Sequence, residues 1–128
     1  CGYNAASIQE RIYAKADSKK PMAGILLYTA ASDSDGTLGG LVDLGKPDSL
    51  GRIISLALNR AKICSSDPLC AQHNPADDRS LHAAACHACC FVGETSCEAG
   101  NKFIDRALVV NTFDCHDAAF FDDEGWSL

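Results

Sequence analysis

The segment AAACHACCFVGETSC, Ala83 to Cys97, carries four of the chain's eight cysteines in fifteen residues. What those thiols do decides how the rest of the chain must fold. A metal draws separated loops together, a disulfide framework staples them covalently, and a catalytic thiol stands in an electropositive pocket beside a histidine. The remaining cysteines are Cys1, Cys64, Cys70 and Cys115.

Spacing favours the metal. Cys86-x-x-Cys89 is a knuckle, in which a tight turn brings two sulfurs to the separation that tetrahedral zinc requires. Cys97 follows one loop later, after FVGETS. A further thiolate is expected from upstream, where CSSDPLC, Cys64 to Cys70, supplies two candidates. Cys70 is the expected ligand because it lies beyond Pro68, in loop. The expected site is therefore Cys70, Cys86, Cys89 and Cys97, with Cys64 and Cys90 as alternates. Four sulfurs close the coordination sphere, which is the mark of a structural site, whereas a catalytic zinc keeps a position for water.

Other occupants and roles are weaker. His82, His87 and His116 stand near or between the cysteines, but enough thiolates are at hand without them. An iron–sulfur cluster also accepts four cysteines, at spacings that this segment fits less well. Cys86 and His87 are chain neighbours and do not face each other as nucleophile and base do. Adjacent Cys89 and Cys90 are an awkward start for a disulfide framework. Cys1 and Cys115 read as small buried hydrophobes.

Outward from the knuckle, the chain reads as one α/β domain over residues 1–128. With 128 residues and 47% hydrophobic content it is long enough for its own core. Ser7-Ile-Gln-Glu10 has the form of a capping box, and Ile8, Ile12 and Ala16 recur at i, i+4, so residues 8–16 are expected to be a short helix. GILLYTA, Gly24 to Ala30, is an apolar run expected to form a buried strand. Gly36, Gly39 and Gly40 follow in a polar, glycine-rich stretch expected to make a tight turn or a close backbone approach to a partner. Its spacing matches neither the dinucleotide fingerprint nor the P-loop.

Lys46 to Cys64 carries the strongest helical signal. Pro47, Asp48 and Ser49 start it, and Leu50, Ile53, Ile54, Ala57, Leu58 and Ala61 form one apolar stripe, ending near Ile63. Residues 71–80 read as polar loop, and LHAAACHACC as one or two helical turns entering the cluster. NKFIDRALVV is expected to be a helix capped by Asn101, with Asp105 and Arg106 in surface or interdomain pairs. Phe120, Phe121 and Trp126 are expected to pack on the domain or on neighbouring chain.

Charge narrows the function. Seventeen acidic against eleven basic residues give a net charge of −6, which argues against a general clamp on nucleic-acid phosphates. No apolar run approaches a membrane span and no signal core precedes Cys1, so the chain reads as a cytoplasmic segment of a longer protein rather than a lipid-anchored one. For enzymatic metal or acid–base work only Asp33, Asp35, His73 and Glu94 offer themselves. They lie in different loops without a recognised motif spacing, so a nucleic-acid hydrolase remains the alternative function.

ERIY (10–13), GILLYTAASDSDGTLGGLV (24–42), CSSDPLC (64–70) and AACHACCFVGETSCEAGNKFIDRALV (84–109) together resemble the MrfA-type zinc-binding domain of helicase-associated proteins. The similarity runs from about Ser7 to Val110 and is greatest to the form carried by DrmB-type subunits of the DISARM anti-phage system. His87 stands where the helicase form has proline, Ala85 where it has glycine, and the stretch between Cys70 and Cys86 is longer. The resemblance implies a non-catalytic, zinc-stabilised structural and interaction module. It also implies a DrmA-like helicase subunit as partner, with DNA engaged through the complex.

Overall fold

The computed structural model describes residues 5–30, 38–78 and 80–121. Its elements are a 3-10 turn at Ala5–Ser7, strands β1 (Ile8–Lys15) and β2 (Met22–Thr29), helices α1 (Leu38–Leu44), α2 (Pro47–Ala61) and α3 (Pro75–Asp78), and a 3-10 turn at Arg106–Leu108. Strands and helices share one small domain, so the mixed α/β expectation holds. Asp33, Asp35, Gly36, Cys1 and Trp126 lie outside the described residues.

The first correction is β1. Residues 8–15 form a strand, not a helix, paired antiparallel with β2 from Ile8↔Thr29 to Lys15↔Met22. The segment carries two periodicities. Ile8 and Ile12 are four apart, yet Ile8, Glu10, Ile12 and Ala14 also alternate with Gln9, Arg11, Tyr13 and Lys15. Pairing with the uncharged run MAGILLYT selects the period of two, an instance of tertiary context overriding a local signal. The capping box goes unused, because Glu10 Oε1 accepts from Glu98 N at 2.9 Å instead.

β2 confirms the strand expected at Gly24–Ala30 but not its burial: Ile25 is 71% exposed and Leu27 52%. Gly39 and Gly40 lie in the first turn of α1 rather than in a tight turn. α2 matches its sequence signal. Pro47 occupies the first turn, where its missing N–H costs nothing, and Lys46 O accepts from Ser49 N and Leu50 N. None of its residues is fully buried; Ile54, Ala57 and Leu58 instead line a groove shared with Cys90, Ile104 and Val109.

Residues 101–110 are the second correction. They form turns and one 3-10 turn, not a helix. Gly100 and Asn101 both take the left-handed conformation, at φ 57° and 61°, which a helix start cannot accommodate. Asp105, not Asn101, supplies the cap, accepting from Ala107 N at 2.9 Å. Phe103 is 71% exposed, so the apolar spacing marks no buried face. Residues 81–90 are likewise bends and turns. The described tail returns as a parallel bridge from Phe121 to Val110, while Phe120 stays exposed.

The core is small and sits at the cysteines. Among the described residues the buried apolar ones are Cys64, Cys70, Ala84, Ala85, Ala107 and Val110, joined by buried Ser96, Asn101, Arg106 and Thr112. Four separate stretches of chain meet there. Apolar packing on this scale cannot hold them together alone.

A four-cysteine metal centre

Two loops build the site. The first leaves α2 and turns between Cys64 and Cys70. Asp67 directs it: its Oδ2 accepts from Cys64 N at 2.8 Å, while Asp67 N donates to Cys64 O at 3.0 Å. Cys70 N donates to Ser66 O at 3.0 Å, closing the next turn. The reciprocal bonds around Asp67 fold CSSDPLC so that both of its sulfurs face inward.

The second loop is the knuckle. Cys86 O accepts from the N–H groups of Cys89, Cys90 and Phe91 at 3.1–3.2 Å. The resulting turn points both thiols the same way. Backbone N–H groups also point at sulfur: Ser66 N at Cys64 Sγ (3.4 Å), Ala88 N at Cys86 Sγ (3.4 Å) and Cys86 N at Cys89 Sγ (3.3 Å). Such donors favour thiolate over thiol.

The sulfurs of Cys64, Cys70, Cys86 and Cys89 all lie within 4.8 Å of one another. Three separations are 3.5 Å (Cys64–Cys86), 3.7 Å (Cys70–Cys89) and 3.9 Å (Cys86–Cys89). A regular tetrahedron with metal–sulfur bonds of about 2.3 Å has sulfur–sulfur edges of about 3.8 Å. The donor set and its spacing therefore fit zinc, and no described cysteine is in a disulfide. Bound there, the ion would cross-link the two loops and supply no open coordination position.

Electrostatics separates Cys86 from Cys64 and Cys70. Burial pushes Cys64 and Cys70 up, so both are neutral in the metal-free chain at neutral pH. Burial acts the same way on Cys86, but the Ala88 N–H and then the sulfurs of Cys64 and Cys70 outweigh it, bringing Cys86 down to about 7. Of these three, Cys86 gives up its proton most readily.

Of the cysteines nominated from sequence, Cys70, Cys86 and Cys89 come together, and the alternate Cys64 joins them. Cys97 does not. Its loop is committed elsewhere: Ser96 O accepts from Glu10 N at 3.2 Å, and the Glu98 carboxylate pairs with Arg11 at 3.2 Å, so residues 96–98 lie along the edge of β1. Cys90 lines the groove beside α2, and burial, with the neighbouring Cys89, pushes it up to about 12. His87 packs edge-on against Phe91, and His82 stacks on His73 with centroids 4.6 Å apart. His73 also bonds Ser80 Oγ at 2.8 Å, and Glu94 borders an open cleft of about 570 Å³ with His82, His87 and Lys102. Among the described residues no other cluster of His, Cys, Asp or Glu has the geometry of a metal site.

One residue of the site escaped sequence reasoning. Arg106 is 2% exposed, bonds the Asp67 carboxylate, donates to Ala61 O at 2.9 Å, and through its own N–H donates to Ala84 O at 3.3 Å. It therefore joins the end of α2, the first cysteine loop and the approach to the knuckle. Burial works against its charge, but Asp67, then the Cys70 and Cys89 sulfurs, hold it firmly protonated. A zinc ion with four thiolates carries net charge −2, and the guanidinium is the positive charge set beside it. Asn101 makes a second tie: its Oδ1 accepts from Val92 N at 3.2 Å and its Nδ2 donates to Val92 O at 2.7 Å. From sequence, Arg106 is expected in a surface or interdomain pair; the structure buries it and pairs it with Asp67.

Comparison with known proteins agrees with this geometry. The family model of the MrfA Zn-binding domain matches residues 1–90, a span that contains all four clustered cysteines and stops short of Cys97. The DISARM protein DrmB of Bacillus paralicheniformis is 48% identical over 120 residues, covering 94% of this chain. The chain spans about a fifth of the length of that curated relative. The gathered thiols and the matched residues lead to one conclusion: this chain belongs to the MrfA Zn-binding domain family, and its metal is zinc.

Proposed function

We propose that the chain is a non-catalytic, zinc-stabilised structural and interaction module of a DISARM-type anti-phage defence assembly, holding its zinc through Cys64, Cys70, Cys86 and Cys89. The observation that carries the reading is the closure of the site: four sulfurs at tetrahedral spacing leave no position for water or substrate. The burial pattern supports it, since Cys64 and Cys70 of the cluster are among the few buried apolar side chains of the described residues. Similarity to DrmB supports the defence context.

In this reading the module works in the cytoplasm beside a helicase-like, DrmA-like subunit, which supplies the ATPase activity. DNA is reached through the complex. The net charge of −6 supports that division of labour. No described helix is long and apolar enough to cross a membrane. The test has two arms. Elemental analysis should give one zinc per chain, and nuclease assays with and without magnesium should give no turnover. Magnesium-dependent cleavage of DNA or RNA, lost in a Glu94→Gln variant, would replace the module with a hydrolase.

A further inference from the structure

We propose that Arg106 is a positioning residue of the zinc site, whose buried Nε–H donates to the metal-bound thiolate of Cys70 and so gives every one of the four clustered sulfurs an N–H donor. The inference rests on the four-cysteine reading and deepens it, because it says how one ligand is held by a different device from the other three.

The four sulfurs are not served alike. Ser66 N points at Cys64 Sγ at 3.4 Å, Ala88 N at Cys86 Sγ at 3.4 Å and Cys86 N at Cys89 Sγ at 3.3 Å. Among the described residues no backbone N–H serves Cys70, whose sulfur has the Cys89 sulfur beside it at 3.7 Å. The turns explain the difference. Ser66 and Ala88 each stand two residues after the cysteine they serve. The residue in that place after Cys70 is Gln72, and its N–H donates to Pro68 O at 3.0 Å instead. Cys70 is 5% exposed, so bulk water does not take the vacant direction. Zinc deprotonates a coordinating thiol, and a buried charged sulfur calls for a donor.

Arg106 carries the converse imbalance. Its side chain is 1% exposed. Nη1 donates to Ala61 O at 2.9 Å and Nη2 pairs with Asp67, which together fix the guanidinium between the end of α2 and the first cysteine loop. Nε is buried and has no acceptor. An unpaired N–H on a buried cation is uncommon and costly. The Cys70 sulfur is its neighbour: after burial and Asp67, Cys70 acts most strongly on the Arg106 charge, and it does so as a hydrogen-bonding partner as well. Cys89, the other sulfur near the guanidinium, already accepts from Cys86 N. In the metal-free chain Cys70 is a neutral thiol and a weak acceptor, so Nε stands unpaired. Coordination makes it a thiolate, and a charge-assisted bond then satisfies both groups at once. Metal ligands are commonly oriented in this way by a partner that does not touch the ion.

The NMR-active isotope of cadmium, bound in place of zinc, tests the proposal, since scalar coupling passes from metal through sulfur into a hydrogen-bonded N–H. In proton–cadmium correlation spectra of the full chain, the Hβ protons of Cys64, Cys70, Cys86 and Cys89 report the ligands. The amide protons of Ser66, Ala88 and Cys86 and the Hε of Arg106 should appear as well. Amide correlations without Arg106 Hε would overturn the proposal and leave the metal site standing. Hβ correlations from a different set of cysteines would overturn the metal reading and this proposal with it. Alkylation of the zinc-loaded chain by iodoacetamide, read by mass spectrometry, identifies the sulfur. Arg106→Lys keeps a positive charge for Asp67 but has no donor at the Nε position. It should speed alkylation of Cys70 alone, by roughly tenfold for one lost hydrogen bond to a charged acceptor. Equal acceleration of Cys64 and Cys70 would overturn the proposal, leaving Arg106 as a brace for the whole loop. The cadmium spectrum of the unaltered chain decides even where the variant holds no metal.

Discussion

Replacing Arg106 with methionine keeps most of its buried volume and removes its charge. Three bonds depend on that side chain or run through its partner: Arg106 to Ala61 O, Arg106 to Asp67, and Asp67 to Cys64 N. The guanidinium is 1% exposed and the Asp67 side chain 16%, so this is a buried pair rather than a surface one. Removing one member of such a pair costs about 3–5 kcal/mol, because the other charge is left without compensation. At this chain length that lowers the melting temperature by roughly 10 °C or more. Loss of a group that orients a ligand-bearing loop also weakens metal affinity by about 10–100-fold. The assay is thermal melting with zinc bound, followed by competition for zinc against a chelator of known affinity. Arg106→Met together with Asp67→Leu should recover part of the stability, since no buried charge is then unpaired, but not the affinity, since the Cys64 N–H then loses its acceptor as well. An Arg106→Met protein with unaltered melting and unaltered zinc affinity would refute the role assigned to this residue.

Further outcomes follow from the same geometry. Serine at Cys64, Cys70, Cys86 or Cys89 should each abolish stoichiometric zinc and the order of residues 64–90, whereas Cys97→Ser should keep both; zinc analysis and amide NMR spectra check this. Zinc affinity should fall with acid. Burial raises Cys64 and Cys70, so both thiols must shed protons to bind, and the logarithm of the apparent association constant should rise by about 2 or more per pH unit between pH 6 and 8; a slope near zero in competition titrations is the contrary result. Asn101→Ala should cost more than Asn101→Gly by about 1 kcal/mol in denaturant unfolding. Both lose the Val92 bonds, but only alanine also strains the left-handed backbone at φ 61°. Chelation should unfold the cysteine region as a unit, since zinc binding contributes about 10–16 kcal/mol of apparent free energy in small zinc modules.

Particular residues show what the sequence could and could not disclose. The knuckle was legible because Cys86 and Cys89 lie in one turn, where local backbone geometry fixes the distance between sulfurs. α2 was legible because its stripe repeats over four turns with proline at its start. The partner of the knuckle was harder. Spacing presented Cys64 and Cys70 as alternatives for one position, and only the Asp67 bonds show how a five-residue spacer turns both inward. Cys97 stands at a plausible distance along the chain, yet its loop is held at β1 by Ser96 and Glu98. That contact spans more than eighty residues and leaves no local trace. The hairpin was hidden by a coincidence of periods in IQERIYAK. Arg106 is expected from sequence in a surface or interdomain pair, and its partner proves to be Asp67, a contact spanning 39 residues that leaves no local trace.

X-ray absorption at the zinc edge of the purified chain tests the central claim most directly. The account predicts one zinc per chain with four sulfur scatterers at about 2.3 Å and no nitrogen or oxygen. A coordination shell containing histidine or water, or four sulfurs that persist unchanged in Cys64→Ser, would contradict it.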